Sequence, residues 1–418
     1  MIWASRGRRC GTRVMACGPR RMRLLFFDFT INFGGGPQGS LYLCRRLNVD
    51  HEVHVVDAYG TCREYCEAVR AAGLPLHILY PKAQDTYIGA KDKPVKRFLR
   101  AATQIPDFLR IRHRLIRTVV DIRPDAIWVN NEKSLAFLVS SRALRRVPTA
   151  MYVRGWATPD QVSPFLCWLM KKYLAAIIAH ARASIEQLKK RGIPESKLFY
   201  TPNTICVEEV VRRATTTPAV CEPQDPRVKL LLPAARFQPA KGQDTAVRAL
   251  RRLEDQGVDA VLWLPGKIGT GEDPGFRQEV LHLADDLGVR ERVRLLGWQD
   301  NMPALMQACD VVVLPTHTEG FPRSILEAML LKKPVCATPV GGIPEAIQHG
   351  STGYLFEIGD AEGLAEAVRQ VVTDPEATRA LCRRAYELFQ EHHRPEQHTQ
   401  AIVRMFEHIC PSAPRKPS

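Results

Sequence analysis

Two carboxylates and two cations stand where they could handle a charged, hydroxyl-rich ligand. Glu319 and Glu327 are eight residues apart in THTEGFPRSILEAML, and Arg236 and Lys241 lie in ARFQPAKGQDTAV. Carboxylates accept charge-assisted hydrogen bonds from hydroxyls, whereas arginine grips phosphate with a planar fork and lysine acts as a point charge. Pro322 opens a segment with Ile325, Leu326, Met329 and Leu330 at helical spacing. Glu327 then falls roughly 7–8 Å along the axis at about 1.5 Å per residue, and Glu319 stays at the mouth. The unpaired amides near Arg323 and Ser324, reached through Gly320 and Phe321, favour an anion. A ligand with an anionic middle and a polyhydroxyl group at each end meets all of these features, and a nucleotide diphosphate sugar is one. The plainer alternative leaves both glutamates and Lys241 solvated, with Arg236 packed on a sheet edge.

The elements that must position these groups are short apolar strands alternating with helices. Residues 311–314 (VVVL) and 334–338 (PVCAT) flank the helix after Pro322, which makes a parallel crossover unit. Ligands of such sheets bind beyond the carboxyl ends of the strands. A strand at 229–235 puts Arg236 and Lys241 at that same edge. Strands at 260–264 and 292–296 end at Pro265-Gly266-Lys267 and Gly297-Trp298-Gln299, so Gly266, Lys267 and Trp298 could border a nucleotide base. Helices at 361–372, 375–389 and 395–409 finish the chain.

The segment Glu319-Gly320-Phe321-Pro322-Arg323-Ser324-Ile325-Leu326-Glu327-Ala328, with PVGGIPEAI (339–347) and HGSTGYLFE (349–357), resembles the family-4 retaining glycosyltransferases. The resemblance covers nearly the whole chain from about Met22 and is strongest after residue 228. It implies the α/β GT-B fold, in which two Rossmann-like, doubly wound parallel-sheet domains face each other across a cleft. It also implies transfer from a nucleotide diphosphate sugar to a glycan or lipid-linked acceptor with retention. Glu319, Arg236 and Lys241 would be the catalytic residues and Glu327 the ribose contact, and the last helix would cross back onto the first domain. No Asp-x-Asp pair occurs, so the expectation is a metal-independent enzyme with no cofactor. A cytoplasmic enzyme of bacterial cell-surface polysaccharide or glycolipid synthesis is the context that the resemblance suggests.

The first half carries its own candidates. Residues 23–29 (RLLFFDF) read as a buried strand, then GGGPQGS (34–40) as a loop, with a helix from Leu41. Gly34, Gly36 and Gly39, with Asp57 at the end of the second strand, satisfy the dinucleotide fingerprint. Pro37 weakens that reading because it cannot donate an amide. In the family, the loop containing Gly35 and Gly36 lines the cleft instead. Strands at 125–130 and 149–153 end at Asn130 and Arg154. Many family members carry histidines there, so Asn130 and Arg154 are expected acceptor or sugar contacts of altered kind.

Residues 91–117 mix a three- and four-residue apolar stripe, including Ile105 and Leu109, with basic residues such as Arg110, Arg112, Arg114 and Arg117. That pattern suits a peripheral contact with an anionic membrane surface or, equally, a solvated helix face. Nucleic acid is not expected, because aromatics for stacking are sparse.

At 418 residues the chain exceeds one ordinary domain, and 45% hydrophobic with 25% charged residues describes a well-cored globular protein. Residues 1–200 hold 34 Lys and Arg against 15 Asp and Glu, out of 59 and 44 in the whole chain. The positive excess therefore sits in the first half, as a partner with negative charge would require. Twelve cysteines without a Cys-x-x-Cys pair read as free thiols. The expected organisation is a basic extension (1–21), a first domain (22–205), a linker (206–228), a second domain (229–390), the crossing helix (391–410) and a tail (411–418). Rival readings are a sugar-nucleotide epimerase of the same architecture, a dehydrogenase resting on residues 34–57, and a catalytically silent scaffold at a membrane.

Overall fold

The computed structural model describes residues 21–81, 105–158, 162–216, 218, 225–233, 236–266 and 274–410. In the first domain the elements are β1 (Arg23–Asp28), α1 (Gly35–Leu47), β2 (Glu52–Asp57), α2 (Arg63–Ala71), β3 (Leu76–Ile78), α3 (Ile105–Ile122), β4 (Ala126–Val129), α4 (Glu132–Val139), β5 (Thr149–Val153), α5 (Pro164–Tyr173), β6 (Ala176–Ala179), α6 (Arg182–Lys190) and β7 (Leu198–Tyr200). Helix α7 (Val207–Ala214) leads to the second domain. That domain contains β8 (Val228–Leu231), α8 (Gln243–Asp255), β9 (Ala260–Pro265), α9 (Pro274–Asp286), β10 (Val293–Gly297), α10 (Met302–Ala308), β11 (Val311–Leu314), α11 (Arg323–Leu330), β12 (Val335–Ala337), α12 (Ile343–Ala346), β13 (Tyr354–Leu355), α13 (Ala361–Thr373) and α14 (Pro375–His392), and α15 (Pro395–Ile409) ends the described chain.

All strands pair in parallel, in the orders β3-β2-β1-β4-β5-β6-β7 and β10-β9-β8-β11-β12-β13. Runs such as AIWV and VVVL are buried at every position, as strands with helices on both faces must be. Strand order reverses between β1 and β4 and between β8 and β11, which opens a crevice at the carboxyl end of each sheet. These are the two edges that carry the glycine segment and the Arg236–Lys241 loop.

Helix α15 returns to the first domain. Ile402, Met405, Phe406 and Ile409 join a core with Leu24, Phe26 and Trp128, and the Phe406 and Trp128 rings lie 5.6 Å apart. Arg46 pairs with Glu396 at 2.9 Å across the same junction.

Several boundaries differ from the sequence reading. The glycine segment is not a loop: α1 begins at Gly35, because the buried Ser40, Leu41, Leu43 and Cys44 demand helical register earlier than the glycines suggest. The stretch 206–228, expected as a linker, begins with α7, whose Val210 packs against the second domain and whose Arg213 carbonyl accepts from Asn301 Nδ2 at 3.0 Å. Pro322 is the N-cap of α11 rather than its first residue. The basic stretch 91–117 lies partly outside the described residues, as do Lys267, the extension before Arg21 and the tail after Cys410.

Candidate active site

The two crevices meet over a cavity of about 520 Å³. Arg236, Lys241, Glu319, Phe321, Arg323, Ser324 and Glu327 line it from the second domain, and Gly35, Gly36 and Arg154 from the first. A neighbouring cavity of about 230 Å³ shares Gly35, Arg323 and Glu327 and continues to Gly266 and Trp298. Residues scattered over most of the chain thus converge on one cleft.

Lys241 is placed by a turn at Pro239–Lys241 and by Gly242, whose φ of 69° is left-handed. A Cβ on Gly242 would sit 1.9 Å from the Pro315 carbonyl oxygen, so no other residue fits this crossing. The turn is then tied to the loop after β11, where His317 N and Thr316 Oγ1 each donate to the Ala240 carbonyl at 2.9 Å. Two loops cross-linked in this way bring the Lys241 ammonium onto the Glu319 carboxylate, and the two form an ion pair. Arg236 is exposed, but its backbone is held by Gln243, whose side-chain amide donates to the Arg236 carbonyl at 2.8 Å.

Gly341, at φ 57°, lets the following segment pass beneath the Glu319 loop, where a Cβ would lie 2.0 Å from the Glu319 carbonyl oxygen. The Gly342 amide donates to the Gly320 carbonyl at 2.6 Å, and Asn203 Nδ2 of the first domain donates to the Phe321 carbonyl at 2.8 Å. Gly320 itself supplies close approach rather than a wall: a Cβ there would be 1.9 Å from the Arg154 carbonyl oxygen. Arg323 reaches across the cleft to donate to the Gly35 carbonyl at 3.3 Å, while its buried Nε has no hydrogen-bond partner among the described residues.

Glu327 is partly buried inside α11, and burial raises its carboxyl above the ordinary value while Arg323 and Arg213 pull it back. Arg154 donates to Ser40 Oγ at 2.9 Å and lies over the Tyr152 ring at 4.8 Å. Burial lowers its guanidinium, opposed by Tyr152 and Asp28. Asn130 lines neither cavity. Its amide donates to Ser40 Oγ at 2.7 Å and Asp28 Oδ2 at 3.3 Å, so it braces the hydroxyl that orients Arg154 instead of facing the cleft as expected. Asp57, the acidic end of the dinucleotide fingerprint, is 1% exposed and accepts the amides of Thr30, Tyr59 and Gly60. A carboxylate so engaged is not offered to a ribose.

Sequence reasoning missed His180 and Arg213. His180 follows the wholly buried β6 and lines the larger cavity, and a polar residue at a strand's carboxyl end was the available signal. Arg213 lines the smaller cavity from α7, hidden in the supposed linker.

Residues 222–388 match the family model described as glycosyl transferases group 1. That stretch, most of the second domain, is similar to that family. N-acetyl-alpha-D-glucosaminyl L-malate synthase of Bacillus anthracis is 38% identical over 181 residues, which are 43% of this chain and 45% of the relative. The lipopolysaccharide core biosynthesis glycosyltransferase LpsE of Rhizobium meliloti is 28% identical over 332 residues, 71% of this chain and 92% of the relative. The chain thus spans less than half of the Bacillus relative but nearly all of LpsE. Among solved structures, Anabaena HepE in complex with UDP and glucose superposes with a TM-score of 0.73 at 20% identity, covering 93% of this chain and all of HepE. The chain therefore has the two-domain GT-B architecture.

Proposed function

We propose that this glycosyltransferase moves a sugar from a nucleotide diphosphate sugar to a glycan or lipid-linked acceptor, with retention at the anomeric carbon and no metal. The observation that carries the reading is the convergence of Arg236, Lys241, Glu319 and Glu327 with the start of α11 on one cavity walled by both domains. Glu327 takes the ribose hydroxyls and Glu319 the sugar hydroxyls, each by charge-assisted hydrogen bonds. Arg236, Lys241 and the first amides of α11 hold the diphosphate between them.

The bond from the anomeric carbon to the phosphate oxygen breaks as the bond to the acceptor oxygen forms, through an oxocarbenium-like state. Negative charge grows on the leaving diphosphate, so cations already in place stabilise that state most. The acceptor's proton passes to the departing phosphate oxygen. Lys241 is paired with Glu319, and an arriving phosphate displaces that carboxylate, leaving it free for hydroxyls.

HepE was solved with UDP and glucose, and LpsE builds lipopolysaccharide core; these relatives support a UDP-linked donor and a cell-surface glycan as acceptor. Among the described residues no helix is long and apolar enough to cross a membrane. A peripheral contact on the inner face is supported by the outer layer of the first domain. Ile105 and Leu109 on α3 are 55% and 47% exposed beside its arginines. On α5, Phe165 and Trp168 are 60% and 48% exposed, with Lys172 over the Trp168 ring.

A thermal-shift series with UDP, GDP and ADP and their sugars tests the donor assignment, since a ligand of the folded state must raise its melting temperature. The expected result is stabilisation by one nucleotide and its sugar. If none of the series stabilises the protein, the assignment fails.

A further inference from the structure

We propose that His180 contacts the transferred sugar, its Nε2 accepting a hydrogen bond from a hydroxyl of the donor hexose. This rests on the nucleotide-sugar reading of the cleft and assigns a residue to the sugar end of it.

His180 stands at the carboxyl end of β6 and is 5% exposed. Its Nδ1 lies 3.1 Å from the Thr201 carbonyl oxygen, an atom that can only accept. Nδ1 therefore carries the proton, and Nε2 keeps its lone pair. Nε2 is buried and has no hydrogen-bond partner among the described residues, although His180 lines the larger cavity. The neighbouring Tyr152 hydroxyl does not serve it, being engaged by His398 Nε2 at 2.8 Å and Thr201 Oγ1 at 3.2 Å. Burial and the nearby Arg154, Arg323 and His398 push the imidazole well below its ordinary value. It stays neutral at physiological pH and offers an acceptor to the cavity, not a charge. Buried acceptors are nearly always paired, so an open one at a ligand cavity points to a ligand's donor.

The position matches the sugar end. A Cβ on Gly342 would lie 2.9 Å from the Ala181 Cβ, one residue beyond His180, and Arg154 crosses Gly320 on the other side. Asn203 holds the Phe321 carbonyl. The strand ends around His180 are therefore pressed onto the loop that carries Glu319. A hexose gripped by Glu319 has this imidazole on the facing wall of the same cavity.

The test compares UDP with UDP-glucose by calorimetry on the full chain, and repeats the pair as GDP with GDP-mannose and ADP with ADP-glucose. For the pair that wild type binds, His180→Phe should weaken the nucleotide sugar roughly three- to tenfold, the range of one neutral hydrogen bond. It should leave the bare nucleotide unchanged, which also shows that the variant folds. His180→Gln places an amide oxygen near Nε2 and should recover most of the loss. Equal affinity of the Phe variant and wild type for the nucleotide sugar would overturn the inference, as would an equal loss for nucleotide and nucleotide sugar. Wild type that binds no member of the three pairs would overturn the donor reading, and this inference with it.

Discussion

Lys241 Nζ donates to a Glu319 carboxylate oxygen across 78 positions of sequence, joining the turn after β8 to the loop after β11. The two side chains keep 30% and 20% of their exposure, so a ligand can reach and separate them. If phosphate takes Lys241 from Glu319, only the lysine variant should weaken nucleotide binding. Lys241→Ala should weaken UDP by about 10–100-fold, the scale of a charge-assisted contact. Glu319→Ala frees Lys241 and should leave UDP affinity unchanged or tighter, while transfer from the sugar nucleotide falls by about 10²–10³-fold. Calorimetry and initial rates on the same preparations check both, and a Glu319→Ala protein that loses UDP as badly as Lys241→Ala rules out the exchange.

Gly320 makes closure of the cleft possible. A Cβ there would stand 1.9 Å from the Arg154 carbonyl oxygen, and backbone at both sides leaves no flexible end to yield. Gly320→Ala should push the two domains apart while leaving each core intact. Transfer should drop by about 10–100-fold, since small misplacement of reacting groups is costly. Small-angle scattering should show a larger radius of gyration with little change in secondary structure. An unchanged radius and full turnover would mean that the contact is dispensable.

The strands were legible because each is a short apolar run closed by turn residues: VVVL ends at Pro315 and AIWV at Asn130. The site was legible in so far as its residues lie at strand ends of one sheet, as Arg236, Glu319 and Gly266 do. What escaped depends on contacts distant in sequence. The Lys241–Glu319 pair needs Gly242 to cross Pro315, and nothing local to Lys241 reports that. The early start of α1 was masked by glycines, whose low helix propensity is overridden by packing of Leu41, Leu43 and Leu47. In α7 the apolar spacing of Val207, Val210 and Ala214 was visible in VEEVVRRA but outweighed by the Thr- and Pro-rich stretch after it.

Gly35 and Gly36 separate folding from binding. A Cβ at either position meets no atom of the described residues within 4 Å, and both lie in the first turn of α1. Alanine is the better helix former by about 0.8–1 kcal/mol, so Gly36→Ala should melt at the same temperature or higher. The added methyl instead enters the cavity, where the backbone was open to a ligand. KM for the sugar nucleotide should rise several-fold with no loss of stability. A variant whose KM is unchanged would remove Gly36 from the ligand's surroundings.

The exposed aromatics on α5 give the membrane proposal a direct readout. Phe165 and Trp168 stack at 5.9 Å in a helix whose last turn holds Lys171 and Lys172. Binding to vesicles containing an anionic lipid should blue-shift tryptophan emission and weaken as salt rises, because the basic contribution is screened. Phe165→Ser with Trp168→Ser should reduce co-sedimentation by about tenfold, following the apolar area lost. Equal sedimentation of wild type and the double variant would move the contact elsewhere or abolish it.

Glu327 sets stability against binding. Burial raises its carboxyl above the ordinary 4.5, with Arg323 and then Arg213 opposing. The folded chain therefore holds this proton more tightly than the unfolded chain. The resulting stability is complete below about pH 4.5, where both states are protonated, and is lost as pH rises through the folded-state value. At neutral pH the unfolded chain ionises this carboxyl freely while burial opposes its ionisation in the folded chain, and Glu327→Gln removes that penalty. The variant should melt higher than wild type at pH 7 to 8, with the gap closing as pH falls towards 4.5. Arg213→Ala, by removing one of the opposing charges, should lower the melting temperature at pH 7 to 8 relative to its value near pH 4.5. Nucleotide affinity should move the other way: Glu327→Gln loses about 10–100-fold for UDP if the carboxylate takes ribose hydroxyls. Melting curves over pH with calorimetry at pH 7.5 separate the two effects. A Gln variant that is less stable at neutral pH would show that the two arginines, not burial, govern this carboxylate.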